Sequence, residues 1–140
     1  MNKVLGSVCI LFVSVGSAAE RYSVDGALGG SDFLHGRELA VTGRLFLGYE
    51  NNVLAGQTGR VWVDFFGRHG RDRDAWKAAI ETSRPMRELA LSLVGRCVTV
   101  TATFNADRVP YGGELFDIRS MEAADERHCI GIPERQGLFR

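Results

Sequence analysis

The sequence predicts a mainly β domain in which five strands close into a small barrel, with a helical insert between the third and fourth strands. Several segments alternate apolar and polar residues with a period of two, as half-buried strands do. Seventeen glycines among 140 residues supply many turns. One stretch between positions 72 and 95 instead repeats its apolar residues at helical spacing.

The first three predicted strands follow one another closely. Residues 39–49 form a long first strand, in which Gly43 indicates a bend or bulge. Residues 53–55 are a short second strand, and residues 60–66 are the third. The inward-facing residues of the first and third strands are predicted to be Leu39, Val41, Leu45, Leu47, Tyr49, Val61, Val63 and Phe65.

The insert is predicted to contain two short helices. Asp72 or Asp74 would cap the first helix, because a carboxylate accepts from the free amides there. Pro85 suits the first turn of the second helix, and Gly95 ends it. The apolar faces consist of Trp76, Ala79 and Ile80, then Met86, Leu89, Ala90 and Leu93.

The fourth strand, residues 96–105, has the clearest alternation in the chain. Its buried side is predicted to be Val98, Val100, Ala102 and Phe104, and threonines form its solvent-facing side. Residues 115–121 form the fifth strand, with Phe116 and Ile118 inward. The predicted organisation is a leader over 1–19, a loosely ordered lead-in over 20–36, the barrel over 37–123 and a tail over 124–140.

The leader is predicted to be a cleaved signal peptide. Lys3 precedes a short apolar run from Val4 to Val15, and Ser17-Ala18-Ala19 offers small residues before a cut at Glu20. An uncleaved membrane anchor is the first alternative, although about twenty residues are needed to span a bilayer. Lipidation at Cys9 is the second. The expected location is therefore periplasmic or secreted.

Charge and cysteine content fit an exported protein. Seventeen basic residues balance seventeen acidic ones, and loss of Lys3 leaves a net charge of about minus one, so nucleic acid is not an expected partner. Cys97 and Cys129 would remain after processing. An oxidising compartment favours a disulfide between them, and two buried free thiols are the alternative.

Two segments resemble a known group of proteins. Gly36-Arg37-Glu38-Leu39-Ala40-Val41-Thr42-Gly43 and Leu93-Val94-Gly95-Arg96-Cys97-Val98-Thr99-Val100-Thr101 are similar to strands of small secreted bacterial OB-fold-like proteins of undescribed function. The resemblance covers about residues 34–123. It implies a five-stranded OB-like Greek-key barrel, and it transfers no site residues or activity.

A ligand face is predicted on the outer side of the barrel. OB-folds bind across strands two and three, where aromatic rings stack on bases or sugars and arginines meet anionic groups. The candidate residues are Trp62, Phe66, Phe46, Arg44 and Arg60. The alternative is that these side chains are packing residues beneath the lead-in or the helices.

Metal and catalytic motifs are weak. The run from His69 to Asp74 mixes charges as a solvated helix start does, and His128 beside Cys129 lacks further ligands at recognisable spacing. No nucleophile elbow is present around Ser31 and His35. Asp64 and Asp117 are the carboxylates of greatest interest, although alternate strand positions also suit solvent-facing acids.

The expected function is therefore an exported, non-catalytic binding or interaction module of the bacterial envelope. Its partner would be a small molecule, glycan, peptide or envelope protein, with no cofactor and no metal. One alternative is a structural accessory that docks on an envelope complex, and a phosphoester hydrolase is another.

Overall fold

The computed structural model describes residues 18–49, 51–67, 69–107 and 112–134. Residues 1–17 of the predicted leader therefore lie outside the described part. The strands are β1 (Glu20–Ser23), β2 (Glu38–Gly48), β3 (Asn51–Ala55), β4 (Arg60–Val63), β5 (Cys97–Asn105) and β6 (Glu114–Ala123). The helices are α1 (Val24–Gly29), α2 (Ser31–Leu34), α3 (Arg73–Thr82) and α4 (Arg84–Ser92), followed by a 3₁₀ turn at Glu126–Cys129.

The strands form one mixed sheet that rings round on itself. Their order is β1-β2-β3-β4-β6-β5, and an additional pairing of β2 with β5 closes the ring. The long β2 makes this possible, because Glu38–Arg44 pair with β5 while Arg44–Gly48 pair with β3. The β4–β6 and β1–β2 pairs are parallel, and the others are antiparallel. The prediction of a mainly β fold with helices before the penultimate strand is confirmed, but the described sheet has six strands and not the predicted five, because β1 forms in the predicted lead-in.

The core lies inside this ring and follows the predicted alternation in most strands. Every second residue of β2, β4 and β5 points inward, because successive side chains of a strand face opposite sides. The fully buried residues from these strands are Leu39, Val41, Leu45, Val61, Val63, Val98, Val100, Ala102 and Phe104. Tyr49 is a correction to the prediction: it is 91% exposed, since it lies in the turn just beyond β2.

The last strand departs from simple alternation. Leu115 is fully buried in the core, whereas Phe116, which was predicted to face inward, is only half-buried. The pairing of β5 with β6 shifts register between Thr101 and Thr103, and Asp117 adopts a left-handed backbone with φ of 54°. This irregularity changes which residues face the core, although Ile118 packs against it as expected.

The segment over 20–36 is ordered, which differs from the predicted loose lead-in. It forms β1, α1 and α2, and its Val24 and Ala27 are fully buried. The elements are four to six residues long. They are too short for a periodic pattern to show in the sequence.

Helix α1 packs closely on the barrel at glycine positions. A Cβ added to Gly43 would lie 2.6 Å from the Ala55 carbonyl oxygen and 2.8 Å from a Val24 methyl carbon. The glycine predicted as a bend in the first strand therefore provides room for α1.

Asp25 of α1 holds the turn between β3 and β4. Its carboxylate accepts hydrogen bonds from the backbone N–H of Gly59 at 2.7 Å and of Gln57 at 2.8 Å, and from the Thr58 hydroxyl at 3.1 Å. Burial acts to raise the pKa of Asp25, but these donors, together with the Thr58 N–H, outweigh it and lower the pKa below its ordinary value.

The two predicted helices of the insert are confirmed. Asp72 caps α3 by accepting from the Ala75 N–H at 3.0 Å. Ala90 of α4 and the adjacent Leu93 are buried in the barrel core, whereas Trp76 and Ile80 of α3 are 39% and 43% exposed. Among the described residues, every helix is too short or too polar to cross a membrane.

Replacement of Gly43 with Ala is expected to lower the free energy of unfolding by about 1–3 kcal/mol, because a carbonyl oxygen blocks the new methyl group. Urea unfolding of the purified protein measures the change. Gly48→Ala is the matched control on the same strand, where the nearest atom would be 3.4 Å away. Equal stability of the two variants would contradict the packing argument.

Asp25→Asn is expected to lower the free energy of unfolding by about 2 kcal/mol at neutral pH, because it removes a charged acceptor of several hydrogen bonds. The folded pKa of Asp25 is lowered, so its contribution is present above the unfolded value of about 3.9. That contribution disappears as the pH falls through the folded pKa. Urea unfolding at neutral and acid pH should therefore show the variant and wild type converging in acid, whereas Asp32→Asn should stay near wild type at both.

Candidate functional site

Four of the predicted ligand residues share the outer face of β2, β3 and β4. Residues directly opposite in an antiparallel pair point to the same side of the sheet. The strand register places them in two neighbouring rows, Arg44–Ala55–Arg60 and Phe46–Val53–Trp62. The shared face that the alternation predicted is therefore present.

The C-terminal segment covers part of this face. Phe46 and Val53 form a second apolar cluster with Ala55 and Cys97 of the strands and with Cys129 and Ile132 of the segment. Phe46 is only 7% exposed, and Arg44 is 5% exposed. Phe46 thus acts as a packing residue in this structure.

Arg44 uses its guanidinium to hold the segment in place. Its Nε donates to the Ile132 carbonyl at 3.0 Å, and one terminal nitrogen donates to the Gly95 carbonyl and the Glu126 carboxylate, each at 2.8 Å. The other terminal nitrogen donates to the Cys129 carbonyl at 3.3 Å. A buried guanidinium is tolerated when such acceptors satisfy it.

A disulfide between Cys97 and Cys129 fastens the same segment, as predicted. Both cysteines are fully buried in the second cluster. Closing a loop of this length contributes about 3–4 kcal/mol by constraining the unfolded chain. The disulfide and the hydrogen bonds of Arg44 thus act on the same few residues.

Glu126 completes the attachment. The backbone N–H of Cys97 donates to its carboxylate at 2.7 Å, and Arg44 pairs with the other oxygen. The N–H of Cys97, followed by the hydrogen bond from Arg44, lowers the pKa of Glu126 below its ordinary value. The carboxylate is therefore charged at neutral pH where it meets the arginine.

Phe66 lies elsewhere, in an aromatic group near the start of α3. Its ring centroid is 5.9 Å from that of Trp76, and the His69 ring lies 5.5 Å from Trp76. The Arg87 guanidinium carbon lies 5.2 Å from the Phe66 centroid, within the range of a cation–π contact.

The structure therefore does not bring the five predicted residues into one open site. Trp62 and Arg60 are half-buried on the strand face, and ligand binding by them stays a prediction.

An open cleft of about 460 Å³ lies beside Phe66, which we call the aromatic cleft. It separates the end of β4 and the middle of β6 from the corner between α3 and α4. Its lining residues are Asp64, Phe65, Phe66, Gly67, His69, Ala79, Thr82, Ser83, Pro85, Met86, Phe116, Asp117 and Ile118. Both carboxylates that the sequence singled out, Asp64 and Asp117, are among them.

The polar groups of the aromatic cleft are held by local structure. One Asp64 oxygen accepts from the backbone N–H of Phe66 at 2.9 Å and of Gly67 at 3.0 Å, which fixes its side chain. A ring nitrogen of His69 contacts the Phe66 carbonyl. Asp117 takes its left-handed backbone here, at the β6 irregularity. Apolar walls with a few fixed polar groups are typical of small-molecule sites.

The clefts continue past Phe116. Two smaller ones, of about 360 and 380 Å³, share Phe116 as a wall and include Asn105. Glu114 lines the first of these, is 2% exposed and accepts from the Asn105 amide at 3.2 Å. Glu114 and Phe116 were not predicted as site residues from the sequence. The adjacent apolar pair Leu115-Phe116, which breaks the alternation, was the available signal.

Outside the clefts, the described residues considered for catalysis or metal binding do not form a site. His35 accepts from the Ala106 N–H through Nδ1 at 3.0 Å, and its Nε2 lies 3.8 Å from Asp107. Within the ranges that the structure describes, no group of three or more His, Cys, Asp or Glu residues is placed to hold a metal ion.

No known protein-family model matches the chain, and it shows no detectable similarity to a curated protein.

Arg44→Met is expected to destabilise the protein by about 3 kcal/mol, because the carbonyls of Gly95, Cys129 and Ile132 each lose their hydrogen bond from the guanidinium. It should also let dithiothreitol reduce the Cys97–Cys129 disulfide under native conditions, as measured by thiol alkylation and mass. Arg127→Met, on the exposed 3₁₀ turn, is the control and should leave both properties near wild type. Unchanged reduction in Arg44→Met would refute the holding role.

Proposed function

We propose that this protein is an exported, non-catalytic binding module built on an OB-like barrel. Five strands support the fold assignment. Strand β2 pairs with β3 and with β5, and β3 pairs with β4. Strand β4 pairs in parallel with β6, and β6 pairs with β5. A pair of helices stands between the third and fourth of them. This is the connectivity expected of an OB-like Greek-key barrel.

Export is proposed from the leader and from the disulfide. The first described strand, β1, begins at Glu20, which pairs with Leu39 and directly follows the proposed cleavage point. The Cys97–Cys129 disulfide is compatible with an oxidising compartment outside the cytosol. These features support a periplasmic or secreted location.

The aromatic cleft is the proposed ligand site. The single observation that carries the proposal is that the Asp64 and Asp117 carboxylates line one cleft with Phe66 and other apolar side chains. Asp64 and Phe66 lie just after β4 and Asp117 lies in β6, and the backbone of Phe66 and Gly67 fixes the Asp64 carboxylate. Its volume falls in the range of small-ligand pockets.

The chemistry of the walls favours a cationic ligand with an apolar body. Two carboxylates would attract an ammonium or guanidinium group, and the phenyl rings of Phe66 and Phe116 would pack on the attached hydrocarbon. The Arg87 guanidinium already lies against the Phe66 ring, so the carboxylates are the partners left for the cationic group of a ligand. A free amine or a basic peptide side chain both present this chemistry.

Three compounds with one phenyl ring and different charge test the proposal. Phenethylammonium is expected to bind in the millimolar range and to shift the amide NMR signals of residues that line the aromatic cleft. Phenethyl alcohol and phenylacetate should bind at least about tenfold more weakly, because they lack the charge that the carboxylates attract. Equal or stronger binding of phenylacetate would refute the proposed ligand class.

Two variants test whether a carboxylate in the cleft, and not the net charge of the protein, attracts the ligand. Asp117→Asn should weaken phenethylammonium binding about fivefold or more, and asparagine tolerates the left-handed backbone of this position. Asp74→Asn on exposed α3 removes the same charge outside the cleft and should have no effect. A similar loss in both would mean that net charge, and not the cleft, attracts the cation. Hydrolysis of bis-(p-nitrophenyl) phosphate would instead favour the phosphoester hydrolase alternative.

A further inference from the structure

Three clefts meet at Phe116 and form one continuous depression, which we call the Phe116 groove. It consists of the aromatic cleft and the two smaller clefts of about 360 and 380 Å³. Asp64, Gly67 and Phe116 line both the aromatic cleft and the 360 Å³ cleft. Asn105 and Phe116 line both of the smaller clefts. One ligand can therefore extend from the corner of α3 and α4 to the turn after β5.

Carboxylates stand at both ends of the Phe116 groove. Asp64 and Asp117 line the end in the aromatic cleft, and Asp107 lines the far end, beyond Asn105. The Asp107 side chain is 84% exposed, and Asp117 is exposed as well. Among the described residues, no lysine or arginine lines any part of the groove. The described walls therefore favour positive charge at two separate places.

These carboxylates keep acceptor capacity for a ligand. One oxygen of Asp64 accepts two backbone N–H groups, and its other oxygen makes no bond to a described residue. Asp117 likewise has no side-chain partner in the described part of the chain. The Asp107 carboxylate lies 3.8 Å from the His35 ring nitrogen, a distance longer than a hydrogen bond. Each of the three can therefore accept from an ammonium group.

Arg87 does not neutralise the near end of the groove, although it lies against Phe66. Its Nε donates to the Ser83 hydroxyl at 3.0 Å, and a terminal nitrogen donates to the Ile80 carbonyl at 2.7 Å. These contacts hold the guanidinium at the corner of α3 and α4. It makes no ion pair with either carboxylate of the aromatic cleft within the described residues.

The middle of the groove suits a hydrocarbon chain. Phe116 borders all three clefts and is only half-buried. The nearby polar groups bind one another: the Asn105 amide donates to Glu114 at 3.2 Å, and the Asn105 oxygen accepts from the Asp107 N–H at 3.0 Å. A ligand that crosses this region therefore gains more from apolar contact with the ring than from further hydrogen bonds.

We propose that the Phe116 groove binds a linear aliphatic polyamine, with one ammonium at Asp64 and Asp117 and a second at Asp107. This rests on the proposed amine site and identifies its ligand as a dication. Phe116 pairs with Thr103, and Asp107 follows four residues later, so the Cα atoms of Asp117 and Asp107 lie up to about 15 Å apart. A polyamine carries separated charges on a chain without backbone amides. A basic peptide would bring amides that the occupied Asn105 side chain cannot satisfy.

The test compares octamethylenediamine with octylamine, which has the same carbon chain and one ammonium. Both are titrated into the purified protein at neutral pH and low ionic strength, and the amide NMR signals of the groove are followed. The diamine should bind at least about threefold more tightly, the gain expected for one further exposed ion pair. Trimethylenediamine is too short to reach both ends and should gain less than that over propylamine. A smaller gain for the long diamine, or an equal gain for the short one, would overturn the proposal.

A variant at the far end tests the second charge. Asp107→Asn should bring the affinities of octamethylenediamine and octylamine to within about twofold of each other. The exposed side chain makes this change tolerable to the fold. Asp74→Asn on α3, outside the groove, is the matched control and should keep the ratio of at least about threefold. Loss of the ratio in both variants would overturn the assignment of Asp107.

Two further outcomes separate this proposal from the one on which it rests. Binding of phenethylammonium and octylamine with no gain for octamethylenediamine would leave the amine site standing and overturn the polyamine proposal alone. Failure of both monoamines to bind would overturn both proposals. The peptide acetyl-Lys-Ala-Ala-Lys-amide presents two ammonium groups on a backbone. Tighter binding of this peptide than of octamethylenediamine would overturn the polyamine assignment in favour of a basic protein segment.

Discussion

The buried guanidinium of Arg44 determines how the outer face of the barrel is covered. An arginine in the middle of a strand beneath an apolar cluster is stable only if its donors are satisfied. Its acceptors are carbonyls at Gly95, Cys129 and Ile132 and the carboxylate of Glu126. Those partners set the path of the C-terminal segment, and the neighbouring disulfide locks it there. The arginine that suggested a ligand contact in the sequence is used to bind the protein's own chain.

This cover decides which surfaces remain for ligands. The outer face of β2 and β3 is closed over Phe46 and Val53, so the strand face expected from OB-folds is only partly accessible. Two of the open concavities among the described residues lie where elements outside the ring stand against it. The corner of α3 and α4 forms one, and β1 with the residues after β6 forms the other.

Alternation in the sequence was sufficient to predict the inner faces of β2, β4 and β5, because one buried face imposes a period of two. Residues such as Val98 and Phe104 are buried as predicted. The order in residues 20–36 and the attachment of the C-terminal segment were not predictable in this way. Both depend on contacts between distant residues, such as Asp25 with Gly59 and Arg44 with Ile132. Short elements held by such contacts leave no periodic pattern.

The candidate sites could likewise be predicted only in part. Asp64, Phe66 and Asp117 were each noted in the sequence, but their meeting depends on the parallel pairing of β4 with β6 and on the irregular backbone at Asp117. The threonines of β5 were expected on the solvent-facing side, and only the addition of β1 beside β2 turns that side into a concavity. Phe65, Met86 and Ile118 line the aromatic cleft and also pack against the core, so the cleft is built on the packing that holds the barrel together.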